Sequence, residues 1–209
     1  MRLLFTYLAC VFLGGMSVNV FAQDKVIFED DFNHSKKFEK NWFDNSTEEK
    51  TGKIEYKKGG GIDNSGCVKI SNPERGAIRI MHSLNNLEPG KLYRMSAMMK
   101  CVGVKEGRGA VIYLNPDGLE QGWNASKFVY DDMEWSEIYM DFVPNQKGEA
   151  TICCALGFPW GTYNGGKALG EVYYDNVRVE PIGDKLYHRE SKHFIVSLDK
   201  DKVTITDKQ

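Results

Sequence analysis

The chain has 209 residues and a formal net charge of -2 at pH 7, with 27 Lys and Arg against 29 Asp and Glu. No basic stripe runs along it, which excludes a dedicated nucleic-acid binder and argues against attachment to an anionic membrane. The length suits one well-cored domain of ordinary size.

In chain order, the first element is an export signal. Arg2 precedes an apolar run over residues 3–13, and small and polar residues then lead to Val20-Phe21-Ala22. This is the order of a secretory signal peptide, and the run is too short for the roughly 20 residues of a membrane span. Cleavage after Ala22 would make residues 1–22 the signal and send the rest to the periplasm or surface of a bacterium. Cys10 in Leu8-Ala9-Cys10 sits inside the apolar run, so lipidation is not expected.

Beyond the signal, period-two alternation recurs between Gly, Asn, Asp and Pro clusters, and no capped helical spacing interrupts it. Short strands are expected at 26–32, 53–58, 67–70, 77–83, 109–114 and 127–130. Four longer inward sets follow: Tyr93, Met95, Ala97, Met99 and Cys101; Ser136, Ile138, Met140 and Phe142; Ala150, Ile152, Cys154, Leu156 and Phe158; Tyr173, Asp175, Val177 and Val179. Turn signals such as Asn72-Pro73, Pro89-Gly90 and Asn164-Gly165-Gly166 divide them. About ten strands so spaced predict an all-β, two-sheet antiparallel sandwich over residues 23–182. After Pro181-Ile182-Gly183-Asp184 a Lys-rich tail, 183–209, reads as a hairpin of 193–199 and 202–206. An isolated hairpin is marginal in water, so it either packs on the sandwich or opens a further domain.

Cys67, Cys101, Cys153 and Cys154 remain after cleavage. The compartment permits bridges, but three pairings are possible and a domain this size needs none. Cys153 and Cys154 are strand neighbours pointing to opposite faces, so buried apolar thiols are the favoured reading. No catalytic centre is legible. Asp131-Asp132 and Glu134 form no visible glycosidase pair, and His34, His82, His188 and His193 match no zinc-hydrolase spacing.

Aromatics beside polar or glycine-rich loops are the candidate ligand contacts. Trp123 lies in Gln121-Gly122-Trp123-Asn124, and Trp160 and Tyr163 lie in Pro159-Trp160-Gly161-Thr162-Tyr163-Asn164. Tyr113, Phe128 and Tyr130 could floor a groove, with Arg79 supplying donors; ordinary packing is the competing role for each. Asp175 would point inward on strict alternation, and a buried carboxylate needs partners.

Several stretches, read in order, resemble the CenC-like carbohydrate-binding modules, which are galactose-binding-domain-like jelly rolls. They are Phe28-Glu29-Asp30-Asp31-Phe32 with Trp42, Asn64-Ser65-Gly66-Cys67-Val68-Lys69-Ile70, and Leu87-Glu88-Pro89-Gly90-Lys91-Leu92-Tyr93. Further on come Trp135 with Tyr139-Met140-Asp141-Phe142-Val143-Pro144, and Val172-Tyr173-Tyr174-Asp175-Asn176-Val177. The resemblance covers roughly 26–181 and implies a jelly roll whose aromatics stack on the rings of a polysaccharide or glycan. It also implies a fused or associated hydrolase as partner, and a structural calcium held by Asp175 with Asp30 or Glu29. The Asp30-Asp31-Phe32 opening with Trp42 is also similar to concanavalin-like sandwiches, which leaves sheet topology open. A non-glycan role, as an interaction domain at the front of a larger secreted protein, fits the same fold.

Overall fold

A computed structural model of the protein describes residues 25–44, 52–115, 124–158, 166–183, 187–190, 194–199 and 202–207. In chain order its elements are β1 (Phe28–Asp30), α1 (Ser35–Asn41), β2 (Phe43–Asp44), β3 (Lys53–Lys57), β4 (Cys67–Gly76), β5 (Ile78–Leu84), β6 (Leu92–Lys105) and β7 (Ala110–Leu114). There follow β8 (Asp131–Phe142), β9 (Ala150–Leu156), β10 (Ala168–Gly183), β11 (Tyr187–Glu190), β12 (Phe194–Asp199) and β13 (Lys202–Asp207). One sheet has the order β3-β4-β10-β6-β8, with β1 also pairing β10; the second has the order β2-β5-β9-β7. Pairing within both is antiparallel throughout. The fold is the expected two-sheet jelly-roll sandwich.

Its interior is filled by the alternate residues the pattern picked out. Met95, Ala97, Met99 and Cys101 on β6, with Ile138, Met140 and Phe142 on β8, face Ile80, Ile112, Ile152 and Cys154 across one continuous core. Ser136 is the exception in its set and is exposed.

Three expectations need correction. A short helix interrupts the β pattern: α1 has 7 residues, too few for a helical period to show. Its Phe38 packs on Phe32 and Tyr56, while Lys36, Glu39 and Lys40 stay exposed. Next, Tyr173 is not an inward residue. The ladder between β10 and β6 shifts between Asp175 and Arg178, and Asn176 adopts φ 47°. That bulge inserts one residue and changes the phase, so Val172 and Tyr174 point inward before it, and Val177 and Val179 after it. Finally, the tail is a three-stranded antiparallel meander, β11-β12-β13, with β11 added to the expected hairpin.

Tyr174 joins the sheets. Its ring is fully buried, its hydroxyl accepts the Ala155 N–H at 3.2 Å, and it lies 2.7 Å from the Ala155 carbonyl and 3.0 Å from that of Val111. Burial pushes its phenol well above the ordinary range, so the proton stays on as donor. At another corner, the His82 ring stacks 4.0 Å from Phe28 beside Trp42, and Nδ1 donates to the Asn41 carbonyl at 2.7 Å.

Tyr174→Phe leaves the ring and removes the bridge, so urea melts should show a loss of about 1–3 kcal/mol. His82 gives a pH signature. Burial lowers its pKa below 6.5, so the folded state disfavours the charged ring. Its contribution is complete above about pH 6.5 and is lost as pH falls toward the folded pKa. Melting at pH 7.5 and 5 should therefore differ less for His82→Phe than for the parent.

Candidate functional site

The outer face of the smaller sheet is built from the residues its core face does not use. Register aligns Phe43, Met81, Cys153 and Tyr113 across the four strands, continued by Ala125 of the neighbouring segment. The adjacent row is Arg79, Ala155 and Val111. Arg79 reaches diagonally over β9, and its Nη1 donates to the Tyr113 hydroxyl at 2.9 Å.

Residues 124–130 close this face along β7, through bridges of Tyr113 with Ala125 and Ala110 with Val129. Gly109 permits the approach: at φ 43° it takes a left-handed turn where a Cβ would collide with the Val129 carbonyl. The expected strand at 127–130 is thus a docked run held by bridges. Its Phe128 ring lies 6.0 Å from Phe158, which packs edge-on to Tyr113 at 4.8 Å. The Arg108 guanidinium sits 5.3 Å from the Phe158 ring centre and 5.6 Å from that of Phe128.

Phe158 was expected in the main core with Leu156. Gly157, at φ 79°, breaks the alternation and turns it to the outer cluster. Burial raises the Tyr113 phenol far above its usual range against the pull of Arg79, and lifts the Cys153 thiol to about 12. Both stay neutral near pH 7. The outer positions of β5, β7 and β9 named here hold no carboxylate, so the face offers donors and apolar rings and no acid–base pair.

The structure brings together Tyr113, Arg79 and Phe128 from among the expected contacts. Tyr113 and Arg79 are buried and engaged. Tyr130 is exposed and is held elsewhere, its hydroxyl donating to the Gly107 carbonyl at 3.1 Å. Trp123, Trp160 and Tyr163 lie outside the described residues. Their neighbours belong to this face: Asn124 accepts the Leu114 N–H at 2.9 Å, and Phe158 donates to Gly166 at 2.7 Å. Arg108 and Phe43 were not anticipated, because nothing in their own sequence neighbourhood marks a shared surface.

The expected calcium ligands do not converge. Asp175 is buried, with Oδ2 accepting the Ser65 hydroxyl at 2.6 Å and the Ile62 N–H at 2.9 Å, and Oδ1 accepting the Asn176 N–H at 2.6 Å. Burial raises its pKa, those donors oppose the rise, and Asp31 adds to it. Asp30 turns to a different corner, where it accepts the Trp42 Nε1–H at 3.0 Å and the Phe32 N–H at 3.1 Å. Glu29 points to solvent. The carboxylate that adds to the rise at Asp175 is Asp31, just past the end of β1. Among the described residues no group of three His, Cys, Asp or Glu comes together as a metal set.

The fold is an all-β, two-sheet antiparallel jelly roll, and solved structures share it. Over 77% of its length the chain is similar to the CBM22-1 xylan-binding domain of Paenibacillus barcinonensis Xyn10C, covering 96% of that chain at 9% identity, with a TM-score of 0.53. It is also similar to the family 11 carbohydrate-binding module of Clostridium thermocellum in complex with a mixed-linked tetrasaccharide, at 16% identity over 75% of this chain and 95% of that one, TM-score 0.48. A third similarity is to the enzymatically active domain of bacteriophage CBA120 tailspike protein 4, at 16% identity over 72% of this chain, TM-score 0.49; the match spans 21% of that chain. At such identities the likeness is one of fold. No family model and no curated protein matches the sequence. Among the described residues no helix is long and apolar enough to cross a membrane.

Since hydroxyl and backbone donors already hold Asp175, the thermal midpoint of the purified protein should be unchanged by excess EDTA. A fall reversed by added calcium would show that a cation replaces those donors.

Proposed function

We propose that the protein is a secreted, non-catalytic carbohydrate-binding module, of CenC-like kind, that holds a polysaccharide against the outer face of its smaller sheet. The observation that carries this is the half-buried Phe128 ring under the Arg108 guanidinium, backed by the buried Arg79–Tyr113 pair, with no carboxylate pair among the described outer positions of β5, β7 and β9. Planar rings suit the apolar faces of sugar rings, and guanidinium and hydroxyl groups suit their hydroxyls. Hydrolysis of a glycosidic bond needs two carboxyl groups held across it, and the described outer positions of β5, β7 and β9 supply none. Weak binding by one module becomes useful once it is tethered to a hydrolase or to a surface. Export to the periplasm or cell surface belongs to the same reading and rests on the N-terminal signal.

One observation favours a second reading, an interaction domain without a glycan site. Tyr113 is fully buried and Phe158 is 3% exposed, so these two rings are not open platforms. A tryptophan-fluorescence titration of the exported protein with soluble glucans, xylans, mannans and host-type glycans separates the two. The binding module should show a saturable change with one polysaccharide class, lost in Trp123→Ala or Trp160→Ala and weakened in Arg79→Ala. Silence across the panel, from a protein that melts cooperatively, would leave the interaction domain.

A further inference from the structure

We infer that the edge of the larger sheet carries a second glycan site, separate from the face of the smaller sheet and built around Tyr139. A cleft of about 340 Å³ lies along β8, lined by Lys127, Glu137, Ile138 and Tyr139. That volume falls within the range of small-ligand sites, about 300–1,000 Å³. At 53% exposure, the Tyr139 ring is more open than that of Phe43 or Tyr130.

Its orientation is fixed in advance. The Arg94 guanidinium lies 4.3 Å from the ring centre. Arg94 is itself clamped to Asp141, Nε to Oδ1 at 2.7 Å and Nη2 to Oδ2 at 3.0 Å. The register of β6 on β8, Arg94 against Asp141 and Ser96 against Tyr139, places the clamp and the ring on the same outer surface. A ring held this way is a prepared platform, with little freedom left to lose when a ligand stacks on it.

The lining also chooses the ligand. Lys127 comes from the segment along β7 and Glu137 from β8, so the cleft holds one charge of each sign. This balance disfavours phosphates and amines and suits a neutral, polyhydroxylated ring, whose hydroxyls can meet an ammonium donor and a carboxylate acceptor. In addition, β8 is the last strand of its sheet, so its outward main-chain groups can pair with hydroxyls. The ligand class rests on the reading proposed above; the geometry of the cleft does not. Two sites on different sheets would let one module grip two stretches of a polymer and gain avidity.

The test is a titration of the ¹⁵N-labelled exported protein with xylohexaose, cellohexaose and mannohexaose, followed by amide shifts. The expected result is saturable shifts at Glu137–Tyr139, weakened about tenfold by Tyr139→Ala while shifts around Arg79 and Tyr113 change less than twofold. Tyr139 is exposed, so that variant should fold as the parent does. Shifts confined to Arg79 and Tyr113, and indifferent to Tyr139→Ala, would overturn the second site and leave the first. Shifts confined to the β8 edge would support the second site and overturn the first. No shift with any of the three sugars would overturn both.

Discussion

The hydroxyl of Tyr174, carried by the strand at the middle of the larger sheet, meets the backbone of Ala155 and Val111 in the smaller one. Tyr174 is fully buried, so leaving these partners unmade is costly. The bridge therefore fixes how β10 lies over β7 and β9. It exists because the bulge at Asp175 and Asn176 lets Tyr174 and Val177 both face the interior. The same bulge turns Asp175 toward Ser65 and Ile62, so one irregularity sets both the sheet spacing and the anchoring of the loop ahead of β4.

The candidate face depends on that spacing from the other side. Val111 and Ala155, whose carbonyls lie against Tyr174 inside, carry side chains that line the floor beneath Arg79 and Tyr113 outside. A disturbance of the core bridge would reach the face through two strands only one residue thick. Burial keeps the phenol and thiol of the face protonated, so its formal charge near neutral pH is that of the guanidiniums of Arg79 and Arg108.

The period-two pattern made β6, β8 and β9 legible in the sequence, because a strand with one wet and one dry face advertises both. It failed where the chain changes phase. Tyr173 and Tyr174 are equally plausible inward residues until the bulge at Asn176 is known, and Phe158 departs from the Ala150 series only because Gly157 turns left-handed. The helix at 35–41 was hidden by its brevity. For the site, Tyr113, Phe128 and Arg79 could be named because aromatic and guanidinium groups suit sugars. Arg108 joins them only through the fold of residues 105–109, and Asp30 and Asp175 are each taken up by their own donors, Trp42 and Phe32 for one, Ser65, Ile62 and Asn176 for the other. Pairings across a sheet are properties of register, and one chain read alone does not contain register.

Cys67, Cys101, Cys153 and Cys154 are buried and unbridged. Burial lifts Cys67 to about 11 and Cys101 and Cys153 to about 12, and holds Cys154 well above the ordinary thiol range. A thiol so far above neutrality forms almost no thiolate, and the thiolate is the species that oxidants and alkylating agents attack. In the closed sandwich these sulfurs are therefore chemically silent toward oxidants. Each sulfur becomes reactive only when its own strand opens, Cys67 and Cys101 with the larger sheet, Cys153 and Cys154 with the smaller. The four thiols amount to a built-in stopwatch for breathing motions, one pair per layer of the fold.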